Sequence, residues 1–209
     1  MTRLERKIGW ITIANLPIFI VASQGLVYIW AYLNPDQIRF LVLIPDAVVY
    51  NHEYWRLLTF LFVTQIQNPL FEFFYLYLLY YYGTALEEEW GSFRFTLFYL
   101  IGALGTLLAG FFLGSVHGGL YLNTTIFLAF ATLNPNFEIF LFFVLPVKVK
   151  WLAWLTLAGY LWLIFGAPWY VKAAILVSLA NYFLFFGWSF FAQIQAFLRR
   201  ERFKRTLKG

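Results

Sequence analysis

The chain has no cysteine, which excludes disulfides, thiolate metal sites and thiol catalysis together. Its two histidines, His52 and His117, stand far apart, so no metal-ligand cluster can be assembled, and neither a metal nor a cofactor is expected. Charge is scarce as well: 12% of residues are charged, against about 25% in soluble domains. No Asp, Glu, Lys or Arg stands mid-way along any of the long apolar stretches. Ion-coupled carriers and proton relays need such groups, so both are disfavoured, while a passive lipid pathway stays open. The net charge of +5 does not point to nucleic acid, because the cationic residues gather beside the apolar stretches and at the ends. No secretory signal stands apart either. Arg3, Arg6 and Lys7 lead into an apolar segment of span length with no small-residue cleavage site behind it.

What fills the chain is apolar. Sixty-two per cent of residues are hydrophobic and the mean hydropathy is +0.72, more apolar surface than a globule can hide, so the solvent must be lipid. A span needs roughly 20 apolar residues, and six segments qualify or nearly do: 11–32, 69–86, 93–114, 120–133, 151–165 and 170–186. The fourth and fifth are short. With both termini cytoplasmic, every Lys and Arg except Arg39, Arg56 and Lys172 falls inside, a clear positive-inside asymmetry. Six spans satisfy this, within a membrane domain at 1–198 followed by a basic cytoplasmic tail at 199–209. That tail, with Arg199, Arg200, Arg202, Lys204, Arg205 and Lys208, either attracts anionic lipid, at about 1 kcal/mol per residue near the surface, or serves only as a topology anchor.

The first loop, 33–64, is long and apolar yet broken. Asn34-Pro35-Asp36 starts a turn, 40–44 is an apolar run of strand length, and Pro45-Asp46 stops it. A helix-like stretch at 53–63, too short to span, follows, and the loop is expected to lie in the outer interface. Along the third span Gly102, Thr106, Gly110 and Gly114 recur every four residues. Small residues at that spacing share one helical face and let another backbone approach, which makes this span central.

The densest signal lies at 86–95, Leu-Glu-Glu-Glu-Trp-Gly-Ser-Phe-Arg-Phe, a tight charged turn wedged between two spans. Gly91 is placed to supply a positive φ. Glu87 is placed to accept from the N–H groups opening the third span, or to pair with Arg94, whereas Glu88 and Glu89 suit a solvated turn. Upstream, the planar fork of Arg56 is suited to bonding loop carbonyls, with Trp55 packed at the interface.

These motifs, in this order, resemble the rhomboid-like superfamily over nearly the whole chain. The likeness rests on Tyr54-Trp55-Arg56 before the second span, on Leu86-Glu87, Trp90-Gly91 and Arg94-Phe95 in the next turn, and on Asn134-Pro135-Asn136 after the fourth span. The Asn134-Pro135 pair, followed by Pro146 and a basic cluster, also fits the derlins. The resemblance implies an all-α integral membrane fold, a six-transmembrane-helix rhomboid-like bundle with an interfacial first loop. Active rhomboids pair a serine at the outer start of span four with a histidine in span six. Here the stretch 118–125 offers Leu120 at the serine position, or with another gap Asn123 or Thr124, and Asn181 stands where the histidine is expected. Asparagine cannot take a nucleophile's proton, so the dyad is absent and no catalytic residue is assigned. Ser115 and His117 are the one place for a rebuilt pair, on a glycine-rich loop that is a poor support for a base.

Three functions remain in view. The first is a catalytically inactive, derlin-like handler of membrane-protein clients, its short spans thinning the bilayer. The polar residues Asn123, Thr124, Thr125, Ser178 and Asn181 would then line a client or lipid groove, or else only bond one another. The second is an intramembrane serine protease with an unusual dyad, and the third a lipid-handling or structural subunit of a larger assembly. The expected partners are the lipid bilayer, client or subunit proteins, and anionic lipid at the tail. Short loops and the lack of appended domains point to a prokaryotic plasma membrane.

Overall fold

The computed structural model describes residues 9–64, 66–114, 118–141 and 145–206, with side chains as far as Gly187 except those of Leu113, Leu141 and Leu145. Six long helices occupy the six apolar segments: α1 (Leu16–Leu33), α2 (Pro69–Trp90), α3 (Ser92–Leu113), α4 (Leu120–Leu133), α5 (Val149–Gly166) and α6 (Trp169–Thr206). Four helical stretches, Gly9–Leu33, Ser92–Phe112, Val149–Gly166 and Trp169–Gly187, are long and apolar enough to cross a membrane. Four of the six expected spans are thus clear by length and composition among the described residues. α2 has the length, at 22 residues, but Glu72, five tyrosines and the acidic run 87–89 dilute it. α4 has 14 residues, about 21 Å at 1.5 Å per residue.

Local chemistry explains where the helices start and stop. Asn68 caps α2, its side-chain oxygen accepting from Leu70 N at 2.9 Å and Phe71 N at 3.4 Å, with Pro69 at the first helical position. At the other end Gly91 adopts φ 81°, ψ 150°, a region in which side-chain-bearing residues are strained, and its N–H closes the helix on Glu87 O at 2.8 Å. The chain then reverses directly into α3, as the motif at 86–95 leads one to expect.

The tightest seam in the bundle joins α3 to α6, and small residues make it possible. A side chain at Gly102 would collide with Leu122 and Asn181, and one at Gly105 with Val177. Thr106 is buried and spends its hydroxyl on Gly102 O at 2.8 Å, while Gly114 lies against Tyr170. Gly110 is buried on the same helix. The expected central role of the third span is what the packing gives. By contrast α5 is peripheral, with Trp151, Trp154, Leu155, Leu161, Trp162 and Phe165 exposed, as suits a lipid-facing helix with interfacial aromatics.

One expectation changes, and two segments are defined more closely. The fold is not purely helical, since an antiparallel hairpin of β1 (Glu138–Leu141) and β2 (Leu145–Lys148) links α4 to α5. Asn134 and Pro135 stop α4, and Pro146, which cannot sit inside a helix, pairs with Phe140 in the two-stranded ladder. The run 40–44 is no strand: it follows a 3-10 helix at Pro35–Phe40 and leads into a short helix at Pro45–Tyr50. Finally, α6 continues unbroken to Thr206, 38 residues in all, so the basic tail begins as helix.

Candidate functional site

The loop preceding α2 is held by Arg56. Its guanidinium is buried and donates to Arg39 O at 2.6 Å and Val42 O at 2.8 Å, while pairing with the Glu53 carboxylate at 2.5 Å. Trp55 is exposed and anchors its indole N–H to Phe40 O at 3.2 Å, and the Thr59 hydroxyl donates to Leu41 O at 2.9 Å. Arg56 thus does what its five donors suggest, and it supports structure, not chemistry. His52 is tied to the Tyr54 hydroxyl at 2.9 Å on the exposed side of this loop.

At the opposite end Glu87 differs from expectation. Its carboxylate accepts from Asn15 N at 2.8 Å, not from the start of α3, and Arg94 is exposed. Asn15 has φ 57° and directly precedes α1, so Glu87 fastens the first helix to the α2–α3 turn. Next to it the Thr96 hydroxyl bonds Ile13 N at 3.2 Å and Ile13 O at 3.3 Å. Trp90 packs on Phe98, Phe185 and Phe186, which fastens the turn to α6 as well. Glu88 and Glu89 are exposed. On the same side Asn134 ends α4, its N–H on Phe130 O at 2.8 Å, and Pro135 O accepts from Lys150 N at 3.4 Å.

The five candidate groove residues divide. Thr125 and Thr124 spend their hydroxyls on their own helix, on Leu122 O at 2.6 Å and Leu120 O at 2.8 Å, the usual refuge of threonine in an apolar helix. Asn123, Ser178 and Asn181 are buried. Asn123 Nδ2 donates to the Tyr75 hydroxyl at 2.8 Å, joining α4 to α2, and Asn181 Nδ2 donates to Phe98 O at 3.2 Å, joining α6 to α3. Asn123 Oδ1, Asn181 Oδ1, Ser178 Oγ and the nearby Tyr99 hydroxyl have no hydrogen-bond partner. Asn123 and Asn181 are therefore core residues, while Leu120 is only half-buried. Leu122 and Asn181 meet at Gly102, but Asn123 and Asn181 do not bond each other. Ser115 and His117 lie outside the described residues.

The residue that the sequence reading missed is Glu72. It sits in the first turn of α2, 1% exposed, and neither carboxylate oxygen has a hydrogen-bond partner. A lone acid among Leu70, Phe71, Phe73 and Phe74 is itself a signal, because an ionisable group within a membrane helix marks a site by default. Attention to the middle of each segment passed over a charge one turn inside its end. Among the described residues no group of three or more His, Asp or Glu is placed to hold a metal ion.

A wide apolar cavity of about 950 Å³ opens beside α2, lined by Phe71, Tyr77 and Tyr81 and by Phe137 and Phe140 of the hairpin.

No curated protein matches the chain. Loop length and domain count report packing and accretion, not the membrane in which a bundle resides, and the expectation of a prokaryotic plasma membrane drawn from them fails. It is overturned by the family: the chain belongs to that described as "Eukaryotic integral membrane protein (DUF1751)", whose model matches residues 15–201.

Proposed function

We propose that the protein is a catalytically inactive rhomboid-like membrane protein that binds membrane-protein clients through the polar interior of its bundle. The observation that carries this reading is the set of buried, unpaired oxygens on Asn123, Ser178 and Asn181, two of which, Asn123 and Asn181, stand at positions that the rhomboid resemblance offers for the dyad. Each unmet polar atom costs roughly 1–3 kcal/mol, and a client segment offering N–H or O–H donors would recover it. Asparagine at position 181 supplies no base for a serine mechanism. The thinning component has less support. α4 is enclosed by its neighbours, so its short length does not set the lipid thickness. The lipid-facing α5, at 18 residues and about 27 Å, nearly matches an ordinary bilayer core of about 30 Å.

The test is photo-crosslinking in membranes from Tyr77, which is exposed on α2 beside the cavity. Adducts with membrane proteins are expected, and the Asn123→Leu/Asn181→Leu double variant should lose most of them. Adducts unchanged in that variant would remove the polar interior from recognition. Fluorophosphonate labelling abolished by Ser115→Ala would replace the reading with a protease. The aromatic cavity favours a second reading, a lipid-handling subunit, because its walls are apolar and it is wide enough for acyl chains. Lipid scrambling by purified protein in proteoliposomes would favour it over client binding.

A further inference from the structure

The end of the bundle bearing the first loop holds a second set of buried, unpartnered oxygens, on α1, the first loop and α2. Glu72 is 1% exposed and Gln24 fully buried. Gln24 Nε2 donates to Leu61 O at 3.1 Å, which fixes the amide's orientation and leaves Oε1 without a partner. The Thr64 hydroxyl is buried beside the Glu72 carboxylate and is the one side-chain donor among the described residues that faces it, with no regular hydrogen bond formed between them. Tyr28, one turn beyond Gln24 on α1, spends its hydroxyl proton on Gln67 O at 3.2 Å and has none for Glu72. Among the described residues no Lys or Arg pairs with Glu72. The unmet atoms are thus two carboxylate oxygens, an amide oxygen and a hydroxyl oxygen, with no N–H among them.

An ionised carboxylate at this depth is among the costliest features a membrane protein can carry, so the group is either neutralised by a proton or balanced by a cation. An all-oxygen donor set suits hard cations. Charge decides the valence: one carboxylate is neutralised by one positive charge, whereas a divalent ion would leave a net charge in a low-dielectric site. A groove of about 640 Å³ between α1 and the first loop, whose walls include Tyr28, Val63 and Gln67, reaches this set at Thr64.

We propose that Glu72, Gln24 and Thr64 bind a dehydrated monovalent alkali cation that arrives through this groove. The ion then fastens α1, the segment 61–64 and α2 to one another. That segment also carries the Leu61 and Val63 carbonyls against Gly119 and Gly118 at the start of α4, so an occupied site holds the head of α4 in place. The inference does not rest on client binding, since it concerns different residues.

The experiment is thermal unfolding of the full-length protein in detergent, in choline chloride, sodium chloride or potassium chloride at one ionic strength. A saturable rise in Tm with sodium or potassium is expected, because a ligand bound only by the folded state stabilises it. Glu72→Gln should abolish that rise. Equal Tm values in all three salts, or an undiminished rise in Glu72→Gln, would overturn the proposal. Should Glu72→Gln fail to fold, equilibrium binding of radioactive sodium and rubidium to the wild type decides. One site per chain supports it, with affinity weakened about tenfold in Thr64→Val by loss of one ligand oxygen, and no retained label refutes it.

Discussion

α2 carries two buried carboxylates at its two ends, and they are handled in opposite ways. Glu87, 8% exposed, has a fixed partner in Asn15 N at 2.8 Å and sits beside a helix break. Glu72, 1% exposed, has none. At the Glu87 end the neighbouring polar groups are spent as well, with the Thr96 hydroxyl on Ile13 and the Gly91 N–H on Glu87 O. At the Glu72 end Gln24 Oε1 and Thr64 Oγ1 stay open. A closed polar site contributes to the fold, whereas an open one at the same depth costs stability until something fills it. The first end is architecture, and the second is the end at which the cation is proposed to bind.

The contrast can be broken most severely at the open end by closing its backbone contacts. Gly118→Val would push a branched side chain into the Val63 carbonyl, a collision that neither backbone can relieve. Loss of stability beyond about 3 kcal/mol is expected, visible as failure to recover monodisperse protein. Next comes the loop anchor. Arg56→Ala leaves the Arg39 and Val42 carbonyls and the Glu53 carboxylate without their donors. A loss of about 3 kcal/mol is expected, while Arg56→Lys, with one point charge in place of the fork, should recover only part of it. Protease accessibility of the first loop would report both. At the closed end Gly91→Ala forces a Cβ into φ 81°, ψ 150° and should cost about 2 kcal/mol.

How far each end could be read in advance follows from what holds it together. Glu87, Gly91 and Trp90 lie within five consecutive residues, so their turn is a local motif, and Gly91 has the positive φ expected of it. Glu87's partner was misassigned because Asn15 is 72 residues away, and no local pattern names a long-range acceptor for a backbone N–H. The small-residue face 102–114 was legible for the same reason as the turn, a fixed period on one helix. The open end is assembled from α1, the first loop and α2, with Gln24 and Thr64 unremarkable in sequence. Only the lone acid in an aromatic stretch was visible, and it stood too near the segment's edge to be counted as internal. The hairpin escaped because four-residue strands beside a Pro carry too little period-two pattern to outweigh the surrounding helices.

Smallest in size, but sharpest in sign, is the comparison of the two carboxylates neutralised one at a time. Glu87→Gln keeps an acceptor for Asn15 N but loses the charge that strengthens the bond, so a loss of about 1 kcal/mol is expected. Glu72→Gln removes a buried carboxyl whose one facing side-chain donor among the described residues is the Thr64 hydroxyl. With the site empty, in choline chloride, the change should be neutral or stabilising, since replacing an uncompensated buried charge by a neutral group relieves its desolvation cost. In sodium or potassium the sign should reverse, because the wild type then holds an ion the variant cannot. Thermal unfolding of both variants in the same three salts reads this directly. Glu87→Gln should lie below the wild type by the same interval in each salt, while Glu72→Gln should cross it. Parallel behaviour of the two would mean that Glu72 has a fixed donor of its own, and that both ends of α2 are closed.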